Sequence, residues 1–213
     1  MKELLYDWHG ANVWLFHAIN GLHGENLDWL MLLGTRLGDH SNFPIYLALA
    51  TLAGLWAVAC HPKRHYPDLQ MQAVRWLLAL ATLSAGYVLE GQIIAWLKPL
   101  LDFPRPPLAL AAGTVHIVGP PEYHHSLPSG HSAFAMLLVA SMWTVLKGWQ
   151  RSLAIAFLLW VGLSRISLGA HFPADVLAGF LLSLVVVILV HDLIRLLLRL
   201  AALSGLSPPI VLR

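Results

Sequence analysis

Five long apolar runs, nearly free of charge, constrain this chain more than any other feature it has. They cover roughly Phe43–Cys60, Trp76–Leu97, His131–Leu146, Leu153–Leu168 and Ala174–Leu198. A helix needs ~20 residues to cross about 30 Å of hydrocarbon. Each run is therefore a candidate span, the two shortest borrowing flanking residues or crossing where the bilayer thins. The runs are continuous rather than alternating, and open strand edges have no place in lipid. The expected fold is all-α, a polytopic transmembrane helix bundle. Composition agrees: 58% of residues are hydrophobic and 11% charged, against about 25% charged in a soluble domain. Cys60 is the single cysteine, which excludes a disulfide framework and a Cys-based zinc site. A formal charge of +2 is too small to suggest a nucleic-acid partner. Met1–Gly10 lacks an apolar core, so no cleavable signal peptide is expected.

Residues 1–42 read differently. Leu4, Leu5, Trp8, Val13, Trp14, Phe16 and Ile19 recur at near-helical spacing among Asp7, His9, Asn12, His17 and Asn20. This pattern suits amphipathic segments lying in the membrane interface, with a sixth crossing as the alternative. The expected organisation is an interfacial region 1–42, a transmembrane domain 43–200 and a cytoplasmic tail 201–213. Basic residues mark cytoplasmic loops. Lys63, Arg64, Arg75, Lys147, Arg151, Arg195, Arg199 and Arg213 share one side of the five spans. The opposite side carries Lys98, Arg105 and Arg165, plus Lys2 and Arg36 in the amino-terminal region, so the long loop 98–130 is expected to face away from the cytoplasm.

That outer side gathers the reactive groups. Lys98 closes the second span, and Arg105-Pro106 follows seven residues later. Pro128-Ser129-Gly130-His131 opens the third, Ser164-Arg165 closes the fourth, and His171 and Asp175 lead into the fifth. Three cations, a Ser-Gly turn at a helix start, two histidines and a carboxylate thus meet at one depth. Phosphoryl transfer uses each type, because positioning and charge neutralisation supply most of its catalysis. Arginines offer bidentate contacts to phosphoryl oxygens. A helix amino terminus favours an anion, and glycine admits it without a Cβ in the way.

Lys98-(six residues)-Arg105-Pro106, Pro128-Ser129-Gly130-His131 and Ser164-Arg165-(five residues)-His171-(three residues)-Asp175 resemble the three signature motifs of the PAP2 superfamily, the type 2 phosphatidic acid phosphatases and their bacterial relatives. The resemblance covers residues ~76–190. It implies metal-independent dephosphorylation of a membrane lipid phosphate or diphosphate through a phosphohistidine, with no cofactor. His171 would be the nucleophile, Asp175 its orienting carboxylate, and His131 the acid and base. Lys98, Arg105, Ser129, Gly130 and Arg165 would hold the phosphoryl group. Sidedness and family habit rank undecaprenyl diphosphate first, in a bacterial inner membrane with the site outside. The alternatives are a phosphotransferase passing the group to another lipid such as lipid A, or a phosphatidylglycerol phosphate phosphatase.

Other polar residues carry less. His116, His124 and His125 invite a metal reading, but their spacing matches no usual ligand pattern. Glu90, two helical turns below Lys98, either lines the lower pocket or bonds a neighbouring helix.

Overall fold

The structure, a computed structural model, describes residues 6–60 and 66–204. Lys2, Lys63, Arg64 and residues 205–213 of the expected tail lie outside the described residues. Eight α-helices run in order among those described: α1 Ala11–Asn20, α2 Glu25–Leu37, α3 Phe43–Ala59, α4 Tyr66–Leu101, α5 Pro106–Ala109, α6 Gly130–Met142, α7 Gly148–Ser167 and α8 Pro173–Leu203. The five apolar runs became α3, α4, α6, α7 and α8, and the described residues contain no strand.

Three helical stretches are long and apolar enough to cross a membrane on their own: His40–Ala59, Asp68–Ala109 and Pro173–Leu203. The other two runs formed helices of a different kind. Helix α6 has 13 residues, only ~20 Å of rise. Its Ala133, Phe134, Ala135, Leu137, Leu138 and Val139 are all buried, because α4, α7 and α8 surround it. A helix enclosed by protein has no need to match the bilayer by itself. Helix α7 is 20 residues long but carries Gln150, Arg151 and Arg165 towards its ends. Outward faces are apolar instead: Leu52, Trp56, Leu77, Val88, Leu181 and Leu189 are exposed, as expected where lipid is the solvent.

Helix starts follow local chemistry. Pro44 and Pro173 occupy the first turns of α3 and α8, where the missing N–H costs nothing. Asp175, in the first turn of α8, accepts the backbone N–H of Phe172 at 2.8 Å, which closes the helix amino terminus and fixes the carboxylate. At the end of α7, Gly169 adopts φ +75°, and a Cβ there would stand 2.5 Å from the His116 carbonyl. That left-handed turn lets the Arg165 carbonyl accept both Ala170 N–H and His171 N–H at 3.0 Å. His171 is thereby delivered beside Arg165.

The amino-terminal segment docks on this same end. Helix α1 packs on α7 and α8, and α2 on α7. Phe16 is fully buried among Ile166, Phe172 and Val176. Asn20 Nδ2 donates to the His116 and Ser167 carbonyls at 2.8 Å, and Asn20 Oδ1 accepts His116 N–H at 2.9 Å. Asn12 Oδ1 accepts Ala174 N–H at 3.0 Å. Trp14, Trp29 and Leu22 stay exposed on the far side. Neither α1 nor α2 is long and apolar enough to cross a membrane.

Candidate active site

A cavity of about 540 Å³ opens where the ends of α4, α6 and α7 converge, and His171 enters it from the α7–α8 turn. Lys98, Arg105, Gly130, His131, Arg165 and His171 line it. Six of the eight residues singled out from sequence therefore share one chamber. Asp175 sits behind His171, fully buried. Ser129 does not reach the cavity. It is the residue before α6, its N–H donates to the Asp175 carbonyl at 3.0 Å, and its Oγ accepts from Ser132 at 3.0 Å. Its hydroxyl is turned into the bundle, so of the Ser-Gly pair only Gly130 faces the chamber.

His171 is held at both ring nitrogens. Nε2 lies 3.4 Å from Arg105 Nη1. A guanidinium only donates, so Nε2 is the acceptor and its lone pair points to the cavity side. Nδ1 lies 3.4 Å from Asp175 Oδ2 and 3.4 Å from Ser126 Oγ. The ring proton therefore belongs on Nδ1, facing the carboxylate. Burial, against the pull of Asp175 and together with the Arg165 and Arg105 charges, pushes the His171 pKa down. The imidazole is thus kept neutral, the form a nucleophile requires.

Asp175 is pinned by groups that sequence reasoning missed. Ser126 Oγ donates to its Oδ2 at 2.5 Å, beside the Phe172 N–H, and Tyr6 OH donates to Oδ1 at 2.9 Å. Burial and the adjacent carboxylate both raise the Tyr6 pKa, so its phenol stays a donor. Tyr6 lies 169 residues from Asp175, and no local pattern could have announced it. Ser126 stands five residues before His131 in the loop that carries the second motif, and only that proximity hinted at it.

The two arginines are anchored rather than loose. Arg105 Nε donates to the His124 carbonyl at 2.9 Å, and Nη1 to the Ala170 carbonyl at 3.3 Å. Its Nη2 pairs with Glu122 Oε2 at 2.5 Å. Arg165 Nη1 donates to Thr35 Oγ1 of α2, while its buried Nε has no hydrogen-bond partner among the described residues. His131 Nε2 lies 3.8 Å from Asp39 Oδ2, just before α3. Partial burial opposes ionisation of Asp39, but the Ser41 N–H it accepts at 2.8 Å and the facing His131 and His40 outweigh this and lower its pKa.

Glu90 does both things expected of it: it lines the cavity, and it bonds Ser183 Oγ of α8. Ser183 also reaches the Ala133 carbonyl of α6 at 2.7 Å. The three histidines of loop 98–130 do not converge on one partner. His116 Nε2 meets Asp28 at 2.9 Å, whereas His124 and His125 face Asp102. Among the described residues no group of three His, Cys, Asp or Glu is placed to hold a metal ion.

Known proteins resemble this chain in sequence and in fold. The chain is 29% identical over 181 residues to undecaprenyl-diphosphatase BcrC of Bacillus subtilis, covering 82% of this chain and 80% of that protein. A shorter stretch of 54 residues, 25% of this chain and 23% of the relative, is 41% identical to lipid A 1-phosphatase of Rhizobium etli. The fold superposes on the crystal structure of Aquifex aeolicus LpxE with a TM-score of 0.63 at 23% identity, covering 85% of this chain and 95% of that one. The transmembrane PAP2 type phosphatidylglycerolphosphate phosphatase of Bacillus subtilis gives 0.61 at 22% identity, over 89% and 87%. The PAP2 superfamily profile matches residues 74–198, a stretch that holds every motif residue of the chamber, and the chain belongs to that superfamily.

Proposed function

We propose that this membrane protein dephosphorylates a lipid diphosphate at the extracytoplasmic face, with undecaprenyl diphosphate the first candidate, through a phosphohistidine and without a metal. One observation carries the reading: His171 presents Nε2 toward a chamber walled by Lys98, Arg105 and Arg165, while Nδ1 faces Asp175. His171 Nε2 attacks the terminal phosphorus, and the bond from phosphorus to the bridging oxygen breaks. The three cations neutralise charge on the non-bridging oxygens. Asp175 balances the positive charge that grows on the imidazole. His131 gives a proton to the leaving oxygen, then takes one from the water that attacks the phosphohistidine and frees inorganic phosphate. Along α4 the chamber is lined by Tyr87, Val88, Gly91, Ile94 and Ala95, a wall suited to the first segment of a lipid chain. The distribution of Lys and Arg supports the outward orientation, and the BcrC relative supports the substrate.

Phosphate release by purified protein, in EDTA, across matched long-chain diphosphates and monophosphates tests this. The expected result is release without an acceptor lipid, fastest from a polyprenyl diphosphate. Release only on adding an acceptor would make the protein a phosphotransferase. A preference for phosphatidylglycerol phosphate or lipid A would replace the substrate.

A further inference from the structure

Arg105 is engaged at Nε, Nη1 and Nη2. The first two donate to the His124 and Ala170 carbonyls, and Nη2, the edge left for a ligand, is held by Glu122 at 2.5 Å. Arg105 is buried, whereas the Glu122 side chain is 58% exposed. Glu122 also borders two chambers, the catalytic one and a second of about 180 Å³ lined by Thr35, Gly119, Pro120, Pro121 and Arg165. Its carboxylate and the Arg165 side chain are the groups common to both walls, together with no other cation. The flanking backbone is fixed: Arg105 N–H donates to the Tyr123 carbonyl at 2.8 Å, and Pro120-Pro121 stiffen the approach. Rotation of the Glu122 side chain, rather than movement of the loop, is therefore the available motion.

We propose that Glu122 is an internal anion that trades places with the phosphoryl group on Arg105 and so drives release of inorganic phosphate. This rests on the assignment of Arg105 as a phosphoryl ligand. A buried guanidinium left unpaired is costly, so a dianion held by Lys98, Arg105 and Arg165 would leave slowly. Glu122 swings in as phosphate departs and restores a partner to Nη2. When substrate arrives, the stronger charge of the phosphoryl group displaces the carboxylate, which turns back to water. The exchange takes place at the partition between the two chambers, which gives phosphate a way out on the loop side while the lipid occupies the α4 side.

The test is product inhibition by inorganic phosphate, read in purified full-length protein with substrate turnover and checked by phosphate-induced change in thermal stability. Glu122→Gln keeps the shape and removes the charge. Its inhibition constant for phosphate should fall several-fold, because the carboxylate that competes for Arg105 is gone while solvent screens part of its charge. Glu122→Asp keeps the charge but is one methylene short of Arg105, and it should resemble the Gln variant. An unchanged or raised constant in Glu122→Gln overturns the proposal, as does an Asp variant that behaves like the wild type, which would reduce Glu122 to general charge. Wild-type protein that neither releases nor binds phosphate would instead bring down the phosphatase assignment and this proposal with it.

Discussion

Replacing Asp175 with asparagine separates charge from geometry at His171, the proposed nucleophile. Three donors face Oδ2, namely Ser126 Oγ, Phe172 N–H and His171 Nδ1, while Tyr6 OH alone faces Oδ1. An amide placed with its NH2 toward the first group would set donor against donor at the 2.8 Å contact with Phe172. Asparagine therefore turns its carbonyl to that side and its NH2 to Tyr6, whose hydroxyl can rotate to accept. The fold and the His171 tautomer survive, and only the charge is lost. At the 3.4 Å separation of Nδ1 and Oδ2, an effective dielectric of about 20 gives roughly 5 kcal/mol between carboxylate and imidazolium. At ~1.4 kcal/mol per decade this is a 10³–10⁴-fold loss of rate. Loss of the carboxylate in a hydrolase triad costs about 10⁴ through the wrong histidine tautomer. The Oδ2 donors of this site close that route, so the loss expected here is that of charge alone. Rapid-quench formation of phosphoenzyme from terminally labelled diphosphate is the assay, with KM little changed because Asp175 does not line the cavity. A loss below tenfold in a variant of wild-type thermal stability would refute charge compensation by Asp175.

Three further outcomes follow from the same structure. His131→Ala should damage monoester hydrolysis more than diphosphate hydrolysis, because the alkoxide leaving group needs the proton more; an unchanged ratio of kcat/KM values on matched C15 substrates would leave His131 a phosphate ligand only. In a Cys60→Ser background, a cysteine replacing exposed Ala112 should react with an impermeant thiol reagent in intact cells, and one replacing exposed Gln70 only after lysis; the reverse pattern would turn the site to the cytoplasm. Burial lowers the His171 pKa from 6.5 to about 3, so as pH falls below 6.5 the unfolded chain takes up a proton that the folded protein refuses, and stability declines by up to ~1.4 kcal/mol per pH unit. His171→Asn should flatten that acid-side decline in melting temperature, and an identical slope would show that the ring is not held neutral.

The all-α bundle was legible in the chain because lipid leaves a polypeptide few choices: backbone polar groups must be satisfied within each run, and a continuous apolar run does so only as a helix. Most of the chamber was legible too, since each motif is short and sits at a helix end, where the alternating direction of the spans carries all three to one side. The remainder came from contacts that no period encodes. Tyr6 and Thr35 reach Asp175 and Arg165 across 169 and 130 residues. Asn12 and Asn20, polar residues in an amphipathic pattern, are buried pins that dock the amino-terminal segment on the site. The Ser129 hydroxyl meets Ser132 rather than lining the chamber, and Glu122 pairs with Arg105 from a loop position that no motif marks. Spacing along a helix says which residues share an end of the bundle. Which way each side chain points there, and which loop supplies its partner, depends on the packing of neighbours distant in sequence, and only the tertiary structure decides it.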